Sequence, residues 1–426
     1  MKALMEKINR IGHDDELMQL VAWYFIMLSL IFVPFQLRYA ILSEQIRSYS
    51  QINYLFLIAL FMLLCIKNRN CKETGLELCM KVVWCICLWI VLLSNYKVKT
   101  AKTVLFVANC MLPVLLILVR LSQKQLQRIM KHFLCVFNVF IVLLLAMALV
   151  EKFSGNVILQ TVNQLIPSKE YTSYLYYMEV DVWRFYSLWG HALSNASLFN
   201  IFFVVNDLYH KVYEQKYPKI VYFAVALLGV LLCSSKTAII ILFGYFLFSS
   251  WKNRKLMFGC TAVVIAFLLG GGFKIILQRF MNTSLTTGRF DTFGLYLQSG
   301  LKPIRFLGGY GTGTTYSKLM YNYRAGFEFP LLMEALDYGV LFAILWLVGL
   351  YIYVSYRILQ QRQYMVWLGF SVIYAQYNTY NGLALSNQDN FTWLCVISVI
   401  LINLASVKLS GKAEEKTKQK RKAIGK

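Results

Sequence analysis

The stretch FLCVFNVFIVLLLAMALV, Phe133 to Val150, carries one amide and no charged side chain. A helix needs about 17 to 25 mostly apolar residues to cross the roughly 30 Å hydrocarbon core of a bilayer, and this run reaches that length. Comparable runs lie on both sides of it. Their cores are 20–37, 52–66, 78–94 and 101–119 before it, and 190–209, 219–233, 235–250, 256–277, 329–356, 364–380 and 391–407 after it. Together these predict an all-α polytopic membrane protein with about twelve spans. The second and seventh runs are short, and the tenth is long enough to tilt.

Composition points the same way. Of 426 residues 58% are hydrophobic and 15% charged, and the mean hydropathy is +0.56, more apolar sequence than a soluble core absorbs. The first run follows a mixed-charge segment and lacks a small-residue cleavage site, so it is expected to be retained as a helix. The ten cysteines lie in apolar runs or on predicted inner loops, with Cys233 at a predicted outer helix end, and no external disulfide framework is expected.

Lys and Arg collect on the cytoplasmic side of membrane proteins. With both ends inside, the inner segments hold 27 of the 43 basic residues: 3 before the first run, 4 in 67–81, 4 in 120–131, 3 in 211–219, 3 in 252–255, 2 in 357–362 and 8 after 407. Seven of the remaining 16 fall in one region, Lys274 to Arg324. Eleven spans would place the lysine-rich tail outside, so twelve are preferred. The chain divides into a cytoplasmic N-terminus (1–19), a single transmembrane domain (20–407) with long outer loops at 151–189 and 278–328, and a basic cytoplasmic tail (408–426). The net charge of +23 is spread over short loops and a tail rather than one folded face, which excludes a nucleic-acid partner and suits contact with anionic membrane lipid.

The first long loop carries Tyr171, Tyr174, Tyr176, Tyr177, Trp183, Tyr186 and Trp189, a density that fits an interfacial aromatic belt or a sugar-stacking surface, the belt being preferred. Charged groups near membrane depth are costly and mark functional positions. Three predicted outer cations stand out: Arg184 in RFYSLWGHALSNA, Lys236 in CSSKTA and Arg289 in TTGRFDTF. A lysine at a helix N-terminus opposes the helix dipole, so Lys236 either snorkels to the interface or binds an anion. From 278 to 328 the second loop holds Arg279, Arg289, Lys302, Arg305, Lys318 and Arg324 against Asp291 and Glu328. Several arginine forks together can hold a diphosphate. The glycine run GGYGTG, Gly308 to Gly313, permits a tight turn or close approach to an anion, and lacks the lysine of an ATP-binding loop.

At the end of that loop Glu328 stands at the mouth of the tenth run, with Glu334 and Asp337 deeper. Glu328 is a candidate general base; an ion pair with Arg324, or a favourable charge at a helix N-terminus, is the competing reading. No metal site is expected, since the loop has no histidine or cysteine cluster, and no serine or cysteine triad. Of the four histidines only His191 lies on the predicted outer side, where a structural or supporting role is open.

In order, RFYSLWGHALSNA, SSKTA, TGRFDTF, GGYGTG and EFPLLMEALDYGV resemble the corresponding elements of the O-antigen ligase and polysaccharide polymerase (Wzy-like) superfamily of bacterial membrane glycosyltransferases. The likeness covers about residues 184 to 340. Lys236 stands where that family usually has arginine, and Glu328-Phe329 where ligase members have His-Asn, which favours a polymerase over a ligase. The resemblance implies transfer of oligosaccharide from a polyprenyl-diphosphate-linked donor to a glycan acceptor, on the outer face of the bacterial plasma membrane. Capsule, exopolysaccharide or O-antigen would be the product, and other polysaccharide-assembly proteins would be partners. Arg184, Lys236, Arg289, Arg305 and Arg324 would hold the diphosphate, Glu328 would be the catalytic base, and His191 and Glu334 would support it. No cofactor is expected. Ligase-type transfer to another acceptor is one alternative. A lipid-linked oligosaccharide flippase or other transporter is a second, for which Gly270 to Gly272 and the Asn378 to Asn381 polar patch would be the relevant features.

Overall fold

The computed structural model describes residues 2–34, 37–38, 41–42, 54–70, 73–97, 104, 111–180, 183–213, 217–255, 257–259, 261–262, 288–384 and 388–407. Among the described residues the regular elements are helices and none is a strand. Four are long and apolar enough to cross a membrane: Asp14–Phe32, Gly75–Ser94, Gln123–Ser154 and Val340–Leu359. Shorter apolar helices cover Leu55–Asn68, Lys219–Leu232, Lys236–Ser250 and Asp389–Ala405. The predicted span 256–277, the segment 278–287 with Arg279, the glycines 270–272, most of 101–110 and the tail 408–426 lie outside the described residues.

Local chemistry sets the helix ends. Thr74 and Glu77 form a reciprocal capping box at the start of Gly75–Ser94, and Ser122 and Gln125 do the same for Gln123–Ser154, each satisfying backbone N–H groups that a helix leaves orphaned. At 32 residues the second helix is about 48 Å long at 1.5 Å per residue. It therefore incorporates much of the basic segment expected as a loop.

The helix Ala192–Val212 is the hub. It packs on Gln123–Ser154, Lys219–Leu232, Lys236–Ser250 and Tyr364–Asn378, and its residues from Asn195 to Leu208 are buried, the polar Asn195, Ser197, Asn200, Asn206 and Asp207 among them. Amides fix its register. Asn206 exchanges hydrogen bonds with Asn138 at 2.9 and 3.1 Å, Asn138 being the one amide in the apolar run 133–150. Asn200 donates to the Ala238 carbonyl at 3.3 Å and to Gln376 Oε1 at 3.2 Å. In an apolar environment such amides have no water to turn to, so they join helices.

The run 329–356 is expected as one long helix, but it breaks. Pro330–Tyr338 ends at Gly339, whose φ is +104°, and a second helix begins at Val340. The cause lies upstream, in the loop before it. The Arg305 and Phe306 carbonyls accept from the N–H groups of Val340 and Leu341 at 2.9 and 3.0 Å, so residues 305–308 cap a new helix start that the continuous helix would not have had. A β-carbon on Gly339 would stand 2.9 Å from the Gly308 nitrogen.

The segment 151–189 is largely helical, with Val157–Leu165 and Lys169–Val180. Leu159, Tyr171, Tyr174, Met178, Tyr186 and Ala192 form a separate small core. Burial, reinforced by the charge of Glu170, pushes the Tyr171 phenol up to about 12. Tyr176 and Tyr177 stay exposed. Most of these rings therefore stabilise the segment itself rather than forming an open stacking platform.

Candidate functional site

Arg289 opens the helix Arg289–Ser299 directly after Gly288, whose φ is +74°. Its guanidinium is 13% exposed and directs three nitrogens at two acceptors. Nε and Nη2 donate to Glu328 Oε2 at 2.8 and 2.5 Å, and Nη1 donates to the Thr379 carbonyl at 2.7 Å. The planar fork explains why one cation can hold two elements at once. The Arg289 guanidinium also lies 5.8 Å from the centre of the Phe329 ring.

Thr379 is the C-cap of Tyr364–Asn378. Its carbonyl belongs to the negative end of that helix, where a guanidinium is favourable. The Thr237 hydroxyl donates to Thr379 Oγ1 at 3.4 Å, which brings the start of Lys236–Ser250 to the same place. Ser235 caps that helix by accepting from the Ala238 N–H, and Lys236 is its first residue. Arg184 reaches the turn just before it, with Nε donating to the Cys233 carbonyl at 3.4 Å. The Phe185 N–H donates to the Leu232 carbonyl at 3.0 Å and the Ser234 hydroxyl to the Trp183 carbonyl at 3.2 Å. Four separated motifs thus meet: 183–185, 233–238, 289 with 328, and 379.

Glu328 is 45% exposed. Both Arg289 contacts fall on Oε2, and among the described residues Oε1 has no hydrogen-bond partner. The ion pair read as possible with Arg324 is made with Arg289 instead. Arg324 donates from Nη2 to the Tyr316 carbonyl at 2.8 Å and stacks 4.9 Å from the Tyr321 ring. Its Nε is buried without a hydrogen-bond partner among the described residues. Tyr316 is tied back to the 379–381 turn, because Asn381 Nδ2 donates to its hydroxyl at 2.7 Å. Arg305 is exposed and stacks 4.4 Å from the Tyr310 ring, without a direct contact to Arg289 or Glu328.

The glycine run resolves as a turn. Gly311 N–H donates to the Asp337 carbonyl at 2.9 Å, Gly313 N–H to Asp337 Oδ2 at 2.8 Å and Thr312 N–H to Asn95 Oδ1 at 2.9 Å. These groups are spent on the protein, so they are not presented to a ligand anion. A β-carbon on Gly309 would fall 2.2 Å from the Asp337 carbonyl, hence glycine there. Asp337 is 7% and Glu334 2% exposed, so neither is presented to solvent as Glu328 is. His191 is the N-cap of Ala192–Val212, with Nδ1 accepting from the Leu193 N–H at 3.2 Å. Its ring meets Tyr186 edge-on at 5.0 Å.

Sequence reasoning passed over Thr379 and Thr237 as site residues. The Asn378 to Asn381 patch was visible as a polar interruption in an apolar run, and that was the available signal; its partner in the distant loop was not. Comparison with protein-family models, with curated proteins and with solved structures finds no match for this chain.

Proposed function

We propose that the chain is a membrane glycosyltransferase of polysaccharide polymerase type, acting on a polyprenyl-diphosphate-linked oligosaccharide at the outer face of a bacterial plasma membrane. In this reading the helices form twelve spans with both ends in the cytoplasm. The segments 151–189 and 278–328 cover the outer mouth. The observation that carries the proposal is the Arg289 fork: a nearly buried guanidinium holding a half-exposed carboxylate, Glu328, beside the helix start that carries Lys236.

The chemistry follows from those roles. The acceptor hydroxyl oxygen attacks the anomeric carbon of the donor sugar. The bond from that carbon to the diphosphate oxygen breaks, and the electron pair leaves with the polyprenyl diphosphate. The hydroxyl proton passes to Glu328, whose Oε1 has no hydrogen-bond partner among the described residues. Arg289 and Lys236 stabilise the charge that builds on the leaving group. Arg184 secures the turn that positions Lys236, and Arg324 adds positive charge to the same loop. Glu328 is the half-exposed member of the pair, so an arriving diphosphate can take its place on Arg289 and free it to act as base.

The test is polymer formation in cells. Arg289→Ala and Arg184→Ala variants that insert normally are expected to lose long polymer and to accumulate single lipid-linked units on the outer leaflet. Full-length polymer from both variants would refute the proposal. Accumulation of those units on the inner leaflet instead would favour a flippase.

A further inference from the structure

At the opposite end of the hub helix, three helix ends enclose a cavity of about 200 Å³. They are the Val212 end of Ala192–Val212, the Lys219 start of Lys219–Leu232 and the Ser250 end of Lys236–Ser250. We propose that this cavity binds a phosphate group, supplied by the headgroup of an anionic lipid.

The charge balance is the first reason. Asp207 is almost fully buried and accepts from Lys211 Nζ at 2.8 Å on Oδ2 and from Lys219 Nζ at 3.0 Å on Oδ1. The Tyr245 hydroxyl also donates to Oδ2, at 2.9 Å. Two ammonium groups therefore share one carboxylate, which leaves one positive charge uncompensated among the described lining groups with histidine neutral. Lys219 has a further bond to Ser249 Oγ at 2.5 Å. Lys211 has a side chain 34% exposed at the mouth. An ammonium carries three N–H donors, and among the described residues Lys211 uses one, on Asp207.

Position is the second reason. Lys219 opens a helix, where a cation opposes the dipole, and its Nζ lies 5.8 and 5.6 Å from the Phe203 and Phe246 ring centres. Local helix stability does not explain it. The hub helix has 21 residues, about 32 Å at 1.5 Å per residue, against a hydrocarbon core of roughly 30 Å. With the His191 end at one surface, Lys211 at the mouth of the cavity lies about 29 Å along the helix, at headgroup level on the other, with Asp207 beneath it. Basic pockets between membrane helices suit phosphate headgroups.

Size and surroundings favour the lipid. The cavity is smaller than the roughly 300 to 1,000 Å³ of sites for drug-sized ligands, so it takes a compact group. Tyr217, Val221, Phe248 and Trp251, on the same helix ends, are exposed apolar side chains against which acyl chains can lie. Nothing in this site depends on the chemistry proposed for Arg289 and Glu328.

The experiment uses the full chain in nanodiscs of phosphatidylcholine alone or with phosphatidylglycerol, read by thermal unfolding midpoint, with inorganic phosphate at matched ionic strength as a separate arm. Phosphatidylglycerol is expected to raise the wild-type midpoint. Lys211→Gln, which keeps a donor for Asp207, should lose more than half of that rise, while Lys211→Arg should keep it. Lys252→Gln, an exposed charge outside the cavity, should also keep it. An equal rise from inorganic phosphate alone would support the phosphate site and assign it to free phosphate. No rise in the wild type, or an undiminished rise in Lys211→Gln, would overturn the proposal.

Discussion

Glu77 and Glu328 are both glutamates joined to arginines far away in the chain, yet their surroundings differ. The Glu77 side chain is 1% exposed. Oε1 takes Arg120 Nε at 2.9 Å and lies 3.6 Å from Arg357 Nη1, while Oε2 accepts the Thr74 N–H at 3.2 Å. The Glu328 side chain is 45% exposed and, among the described residues, forms its ion pair with Arg289. The first carboxylate ties Gly75–Ser94 to two other segments and has no freedom to leave. The second is half open to solvent, so its partner can be exchanged for a ligand. Burial, rather than the presence of an ion pair, separates a structural contact from an available one.

The comparison can be broken most directly at Glu77. Glu77→Ala leaves two guanidiniums without their shared carboxylate. It is expected to cost about 3 kcal/mol, the lower end for a broken buried pair, because Arg120 is 33% exposed. Denaturant unfolding of the purified protein measures this, and a loss below that of Glu328→Ala would end the distinction. Next in size is Gly309→Ala, whose β-carbon collides with the Asp337 backbone. Overpacking of this kind costs about 1 to 3 kcal/mol, and protease digestion should cut the 305–313 segment sooner than in the wild type. Replacing Asn138 or Asn206 by Leu should cost about 1 kcal/mol, with strong non-additivity in the double variant, because interhelical amides contribute about 0.6 to 2 kcal/mol. Smallest is Glu328→Gln, expected to change stability by less than about 1 kcal/mol.

The helices Gly75–Ser94 and Gln123–Ser154 were legible as the apolar runs 78–94 and 133–150, because bilayer solvation demands long apolar runs. The break at Gly339 was not. The apolar pattern continues through Val340 to Leu347, and the carbonyls that end the first helix come from Arg305 and Phe306. Hydropathy carries no record of such a contact. At the site, Arg289 and Glu328 were each visible as charges out of place, but their pairing spans 39 positions and the third partner is a backbone carbonyl, which any residue at 379 would supply. GGYGTG shows the limit from the other side: glycines mark close backbone approach, and only the fold reveals that what approaches is Asp337 rather than a phosphate. The tyrosines of 151–189 likewise carried density without direction, since a ring looks the same in a small core as on a surface.

The proposed glycosyl transfer rests on the half-exposed Glu328 and its Arg289 partner. The most direct measurement is glycan chain length on intact cells expressing Glu328→Gln at wild-type levels in the membrane. Loss of a general base lowers rates by about 10² to 10⁴-fold, so the account predicts collapse of long polymer to single lipid-linked units in a protein of unchanged stability. Polymer of normal length from that variant would contradict it.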